Sequence, residues 1–418
     1  MNRAAAVLPW SIWLLSALFV VFNYIHQVVP DIIAADLISA FKATDGTLGN
    51  IAAFYFYAYA ILQIPVGLIV DRYGTRRPLI VAILVAGLGT LAFSWADSSG
   101  HAEIARLVMG ASSAFSFIGC LKLVQEWFPP SRFSTLAGMT NTAGMIGAAS
   151  GAPVAALVNV IGWREAVAWM GWAELALAIL VFLVVRDRPQ AASHAEPAPR
   201  LRQMVGLATN PQVWINAVYA TSISLIFVAF GGLWGASYIQ KAYGMSAVAA
   251  ADVGSLLFLG GIAGSLFFGW CSDYMGRRKL PMVMAGFGAL ATMAGLLYLP
   301  GLPVAGFEAG IFLVGFFSSA NIISYAVARD LYPKLAGLSI GFLSTCFYAG
   351  SAASQPLVGM MLERSLTGQR VGGLASLTAG DYRCAFSPLV GFMVLGLIAS
   401  LLIKETLRPA AANLPKEN

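Results

Sequence analysis

Twelve stretches of about 20 residues, nearly unbroken in apolar character, dominate this chain, and each has the length that crosses the hydrocarbon core of a bilayer as a helix. In the first half they run approximately from Trp10 to Val29, Leu48 to Val70, Leu79 to Trp95, Glu103 to Trp127, Ser134 to Val160 and Arg164 to Val185. In the second half they run from Pro211 to Ser237, Ala247 to Trp270, Leu280 to Leu299, Glu308 to Leu331, Leu335 to Met361 and Cys384 to Ile403. Only 11% of the 418 residues are charged and 59% are hydrophobic, against roughly 25% charged in an ordinary soluble domain. A segment in lipid has no water to satisfy its backbone, so it must bond internally as a helix. The expected fold class is therefore an all-α membrane protein with twelve transmembrane helices. Arg3 followed by the run from Trp10, with no small-residue cleavage pattern, reads as a retained first span.

The two halves are related. Gly67, Asp71, Gly74 and Arg76 return 202 residues later as Gly269, Asp273, Gly276 and Arg278, with Arg72 and Arg77 adding charge to the first turn and Arg277 and Lys279 to the second, each time just after an apolar run. A helix-ending glycine, an acid and clustered guanidinium groups suit a tight cytoplasmic turn between two membrane helices. Internal duplication in a membrane protein points to a transporter that rocks one half against the other around a central site. The expected organisation is a first bundle over 1–185, a cytoplasmic linker over 186–210, where Asp187, Pro189, Pro197 and Pro199 break the apolar pattern, and a second bundle over 211–418 with a short tail.

Lys and Arg set the orientation. Arg72, Arg76, Arg77, Arg132, Arg186 to Arg202, Arg277 to Lys279, Arg329, Lys334 and Lys404 gather on one side, while Lys42, Arg106, Arg164, Lys241, Arg364, Arg370 and Arg383 are spread over the other. Both termini and the linker are expected to be cytoplasmic, in a bacterial inner membrane. The formal charge of +6 lies in short turns and forms no continuous patch, so no nucleic-acid partner is expected. Cys120, Cys271, Cys346 and Cys384 lack disulfide or metal spacing, and no cofactor or metal is expected.

The paired turns resemble the signature of the major facilitator superfamily, and Arg106 with Gly110 matches a second family pattern early in the fourth span. The resemblance covers essentially the whole chain. It implies two pseudo-symmetric six-helix bundles, the major facilitator fold, with spans one, four, seven and ten around the cavity. The stretch from Tyr57 to Gly67 is similar to the second span of the organic anion/proton symporter branch; where that branch carries a first-span arginine, this chain has Asn23, Tyr24, His26 and Gln27. Gly138, Gly147 and Gly151 keep part of an antiporter spacing, but Pro153 is displaced and Ala155 and Ala156 replace glycines, which weighs against drug–proton antiport.

Ionisable and polar side chains inside a span are costly and need a reason. Asn23, His26 and Gln27 share one face of the first span beside Tyr24, a hydrogen-bonding surface for a polar solute, and a histidine there can also carry a proton. Glu174, mid-span and out of snorkelling reach, is either a proton carrier or a hydrogen-bonded structural group. Lys122 either pairs with Glu126 one turn on or attracts an anion from the cavity. Arg106 is a candidate for coupling. Tyr55 and Tyr59 stripe the second span; Asn321 and Tyr325 stripe the tenth; Asn141 and Tyr348 add polar groups in the fifth and eleventh. The turn residues Gly67, Asp71, Arg72, Gly74, Arg76, Arg77, Asp273, Arg277 and Arg278 are read as a conformational latch, because orientation alone needs the positive charges but neither the aspartates nor the glycines.

Together these residues lead to a monomeric secondary transporter of a small polar metabolite, an organic acid or sugar acid, driven by proton symport and alternating access. A larger carboxylate compound such as a siderophore, or a transport-like membrane sensor, are the alternatives. No phosphate-binding loop of the Gly-Lys-Ser/Thr type is present, and no nucleophile, base and orienter fall at convincing spacing, so enzyme activity is not expected.

Overall fold

The computed structural model describes residues 3–42, 45–187, 201–299, 301–366 and 378–407; the centre of the linker, most of the loop expected between Glu363 and Arg383, and the tail lie outside them. The described residues are helical throughout, with no strand. Eleven helices are long and apolar enough to cross a membrane, and the remaining expected span, the eleventh, is the 31-residue helix Ala336–Leu366.

Most spans are single helices: the first is Arg3–Ile32, the second Asp45–Tyr73, the third Arg76–Ser94, the fourth Ser99–Trp127 and the sixth Trp163–Val184. In the second half the eighth is Ala247–Tyr274, the ninth Lys279–Tyr298 and the twelfth Ala379–Leu402. Three spans are broken. The fifth consists of Phe133–Ala148 and Gly151–Ile161, the seventh passes from Pro211–Ala229 through a π-helical turn at Phe230–Trp234 into Gly235–Tyr243, and the tenth carries a 3-10 turn at Ser319–Asn321 between Val304–Ser318 and Ile322–Leu331.

The chain forms two compact units. One comprises Met1–Leu136, Thr140–Val205 and Tyr332–Thr345; the other Ala137–Met139, Gly206–Leu331 and Cys346–Asn418. The beginning of the eleventh-span helix thus clusters with the first unit. Inside the first unit the second span packs on the fourth and the third on the fourth and sixth; inside the second unit the eighth packs on the tenth and the ninth on the tenth and twelfth. The same neighbours recur because the same apolar pattern recurs 202 residues on.

Without a hydrophobic difference between lipid tails and side chains, helix association in a membrane depends on close packing, which small residues allow. A methyl group on Gly110 would overlap the backbone carbonyl of Tyr55, joining the fourth span to the second; Gly315 stands in the same relation to Leu257 O, joining the tenth to the eighth. Gly87 and Gly171 approach each other reciprocally, each with its Cβ position 3.0 Å from the other's carbonyl oxygen, and clamp the third span to the sixth. The sixth span shows what this leaves outside. Trp169, Trp172, Ile179 and Leu183 are exposed, whereas Met170, Gly171, Glu174, Leu177 and Val181 on the opposite face are buried.

Gly110→Ala is expected to lower the melting temperature in detergent, at a cost of about 1–3 kcal/mol for overpacking against backbone. Gly254→Ala, a helical position with nothing within 4 Å of the added methyl, is expected to leave it unchanged or slightly raised. Equal melting of both variants would refute the close-packing account.

Candidate functional site

The polar face expected on the first span turns into the first unit. Asn23 is fully buried, and its amide is saturated: Nδ2 donates to Ser116 Oγ (3.0 Å) and Tyr59 OH (3.4 Å), while Oδ1 accepts from Tyr55 OH (2.6 Å) and Gln27 Nε2 (3.0 Å). The i, i+4 spacing of Asn23 and Gln27 and of Tyr55 and Tyr59 brings each pair onto one helix face, and the two tyrosine rings stack with centroids 6.1 Å apart. Gln63, one turn further along, donates to Tyr59 O at 3.1 Å. Tyr24 lies against Gly144, whose missing side chain leaves 2.7 Å between its Cβ position and the ring. Asn141 contacts Met145 Sδ at 3.9 Å within its own helix.

One turn on, two ionisable residues that are 148 positions apart meet. His26 Nε2 is 3.0 Å from Glu174 Oε1, with the two side chains 1% and 0% exposed. Thr90 Oγ1 lies 2.9 Å from the other carboxylate oxygen, Oε2, and 3.4 Å from His26 Nε2. The Gly87–Gly171 clamp explains why: Gly87 also lies against Leu175 and Gly171 against Leu91, so Thr90 and Glu174 fall within the stretch where the two helices approach closely. Arg106 completes the group. Its Nη1 donates to His26 O at 2.6 Å and its Nε to Ile51 O at 3.3 Å, and its guanidinium sits 4.5 Å from the centroid of the Tyr55 ring. Gly110 again sets this position, because its contact with Tyr55 O draws the fourth span onto the second one turn from Arg106. A carboxyl, a guanidinium and an imidazole therefore share one buried region, each with a polar or aromatic partner.

At the signature turn, Asp71 pairs with a residue of the fourth span and not with its neighbouring arginines. Lys122 Nζ is 2.7 Å from Asp71 Oδ1, and the same carboxylate accepts from the backbone N–H groups of Gly337 (3.0 Å) and Leu338 (2.9 Å), in the first turn of Ala336–Leu366. A carboxylate is favoured there by the orphan donors and dipole of a helix N-terminus. A Cβ on Gly67 would meet Gly337 and Leu338 backbone, so the glycine permits the approach. Lys122, read from the sequence as facing Glu126 or a solute, is engaged with Asp71. Arg72 stacks over Tyr73 at 5.1 Å and Arg77 is exposed. Arg76 Nη2 donates to Phe182 O at 2.8 Å, and Gly74, at φ +76°, turns the chain so that Thr75 N and Arg76 N reach Asp187 Oδ1 at 3.2 and 2.9 Å.

The second unit builds the equivalent turn from other donors. Gly276 has φ +61°, and Glu405 accepts from Arg278 N (2.8 Å) and Lys279 N (3.1 Å) as Asp187 does in the first unit. Asp273 takes its cation from the turn itself, Arg278 Nη1 at 2.6 Å, and Arg278 Nε reaches Asp330 Oδ2 at 3.2 Å, with Arg329 also paired to Asp330. Arg277, the remaining latch candidate, takes part through its backbone carbonyl, which accepts from Ser272 Oγ at 3.0 Å. At the tenth-span break, Asn321 Nδ2 donates to Ser224 Oγ at 2.7 Å, and Asn216 Nδ2 to Ser324 O at 2.9 Å. Tyr325 is buried beside this seam in sequence, and Tyr348 is half-buried in the eleventh span.

Thr90, Ser116, Ser224, Asp330 and Glu405 escaped the sequence reading, and Asp187 entered it only as a linker residue and not as the acceptor of Thr75 N and Arg76 N. The paired acids carried one usable signal, since Asp187 and Glu405 each stand two residues beyond the last buried residue of a sixth or twelfth span, Val185 and Ile403. A single Thr in an apolar run carries none. Among the described residues no three His, Cys, Asp or Glu side chains converge as a metal site requires.

Comparison with known proteins agrees with this architecture. The chain is 24% identical to the probable sulfoacetate transporter SauU of Cupriavidus necator, covering 92% of this chain and 91% of that protein. It is 24% identical to the membrane sensor protein UhpC of Salmonella typhimurium (82% of each) and 25% identical to the probable galactarate/D-glucarate transporter GudP of Escherichia coli (79% and 82%). Its fold matches the proton:xylose symporter XylE with a TM-score of 0.71 at 15% identity, covering 96% of this chain and 97% of that one, and the E. coli fucose:proton symporter FucP with 0.73 at 12% identity, covering 94% and 98%. The family model of the Major Facilitator Superfamily matches residues 12–355 and 233–418. This integral membrane chain belongs to the Major Facilitator Superfamily.

Proposed function

We propose that this chain is a secondary active transporter that moves a small organic acid or sugar acid across the bacterial inner membrane by alternating access, coupled to protons in symport. The observation that carries the reading is the buried His26–Glu174 contact. A histidine and a carboxylate held 3.0 Å apart in a membrane interior, with Arg106 bound to the histidine's own carbonyl, form a site whose charge changes by one when a proton binds. The solute class follows from the relatives: SauU and GudP are named for sulfoacetate and for galactarate or D-glucarate, all small anions. Tyr24, Gln27, Asn141, Asn321, Tyr325 and Tyr348 are the proposed solute-facing groups, and the buried Asn23, saturated by Tyr55, Tyr59, Ser116 and Gln27, is proposed to hold the polar face of the first span in place.

Energy comes from the proton gradient. The halves 1–185 and 211–418 rock about the linker 186–210 with both termini cytoplasmic, and Asp71, shared by Lys122 and the N–H groups of Gly337 and Leu338, acts as the latch that one state makes and the other breaks. One observation favours a second reading. UhpC, similar over 82% of each chain, is named a membrane sensor, so a signalling role without net transport is the competing hypothesis.

Uptake into sealed proteoliposomes under an imposed proton gradient, with sulfoacetate, galactarate, D-glucarate, neutral sugars and a ferric siderophore as the panel, separates these readings. Uphill accumulation of an acid is expected; a protein that reconstitutes fully and moves no member of the panel favours the sensor. Glu174→Gln and His26→Gln are each expected to reduce uphill accumulation by about tenfold or more, within the roughly 5- to 150-fold span of a coupling free energy of about 1–3 kcal/mol, while leaving solute exchange across the membrane within about threefold. Loss of exchange and accumulation together would instead mark both as structural.

Asp71→Asn is expected to slow transport about tenfold with unchanged membrane insertion, and Lys122→Ala to do the same, the double variant being no worse than either because the two side chains act as one contact. Wild-type rates in Asp71→Asn would remove the latch from the mechanism.

A further inference from the structure

The two oxygens of Glu174 meet partners of different kinds. Oε1 faces His26 Nε2 at 3.0 Å and Oε2 faces Thr90 Oγ1 at 2.9 Å. The same Thr90 hydroxyl is 2.9 Å from the backbone carbonyl of Ala86, one turn earlier in its own helix. A hydroxyl has one proton and two lone pairs, so it donates to the carboxylate or to the carbonyl but not to both, and rotation about its Cβ–Oγ1 bond decides which. With Glu174 ionised, Thr90 donates to Oε2. With Oε2 protonated, the acid becomes the donor, Thr90 accepts, and the threonine proton turns to Ala86 O. Each state leaves every polar atom of the contact satisfied, so neither requires a buried unpaired group or a shift of the packed third and sixth spans.

We infer that Thr90 is the positioning residue that lets Glu174 Oε2 gain and lose the coupled proton while it stays buried, which locates the proton site at the contact of the third and sixth spans. This rests on the symport reading above. The step balances simply: an O–H bond forms on Oε2, the His26–Glu174 pair passes from one net negative charge to none with the imidazole neutral, and the reverse step returns the proton. The titratable and charged groups beside the pair are Tyr55 from the second span, which interacts electrostatically with Glu174 and with Arg106, and Arg106 from the fourth, which is held on His26 O. The sixth span's own Arg164 and Glu165 stand at its exposed start. Neutralising the carboxylate changes the field at Arg106, whose donors hold His26 O and Ile51 O, and proton binding therefore acts on the backbone of the first and second spans.

The test uses full-length protein in lipid, with Thr90→Val, Thr90→Ser and Glu174→Gln. Infrared difference spectra across a pH change, without solute, are expected to show a protonated-carboxyl carbonyl band that is missing in Glu174→Gln, displaced in Thr90→Val and at its wild-type position in Thr90→Ser. Galactarate uptake under a proton gradient is expected to shift its pH dependence toward alkaline pH in Thr90→Val by about half a unit or more, because the hydrogen bond removed is stronger to the charged than to the neutral carboxyl, with Thr90→Ser restoring the wild-type profile. A wild-type protein without the band, a band that survives Glu174→Gln, or a Thr90→Val variant with wild-type band and profile overturns the inference. If the band behaves as stated and no solute of the panel moves, the symport reading fails and the proton site stands; if solute accumulates uphill and the band ignores both residues, the reverse holds.

Discussion

A carboxylate in the middle of a membrane helix must face a group able to hold it, and the first unit is organised around that requirement. Glu174 leaves the lipid-facing side of the sixth span to Trp169, Trp172, Ile179 and Leu183 and reaches His26 and Thr90 on the inner side. For those three side chains to meet, the first, third and sixth spans must lie close, and the reciprocal contact of Gly87 and Gly171 supplies the clearance. Arg106 extends the arrangement to the second span through Ile51 O and the Tyr55 ring, with Gly110 permitting the approach. Polar pairing and glycine packing are thus one design, because neither a buried ion nor its partner survives in hydrocarbon if the helices stand a methyl group further apart.

The two signature turns meet one demand by different means. Each has an acid before a glycine of positive φ, and each presents the first N–H groups of the following helix to a second acid located just past the sixth or twelfth span, Asp187 or Glu405. The first acid is where they part. Asp71 is neutralised by Lys122 on another helix and also holds Gly337 and Leu338, whereas Asp273 is neutralised inside its own turn by Arg278, itself shared with Asp330. The two turns share a backbone geometry, which depends on glycine and helix termini, and differ in the cation, since any donor within reach satisfies a carboxylate.

Helix breaks add a second theme. A 3-10 turn at Ser319–Asn321 and a π-helical turn at Phe230–Trp234 interrupt the tenth and seventh spans, and Asn321 binds Ser224 across these two spans. Irregular backbone in a membrane protein is tolerated where neighbouring helices supply polar partners, and beside the tenth-span break Asn216 of the seventh span donates to the backbone carbonyl of Ser324.

The spans, their all-helical state and the kinship of the halves could be read from the sequence, because a bilayer imposes one length and one hydrogen-bonding solution on every segment that enters it and because a repeated turn is visible as letters. His26, Arg106, Glu174 and Asp71 stood out for the same reason: a charge in an apolar run is conspicuous. What the sequence did not show was who meets whom. Asp71 sits beside three arginines in the chain yet pairs with Lys122, and Glu174 finds a histidine 148 positions away and a threonine that nothing in its surroundings marks. Membrane composition acts on each helix separately and is therefore local, whereas partner choice depends on rotation and spacing between helices, which glycine contacts decide only once the bundle has closed.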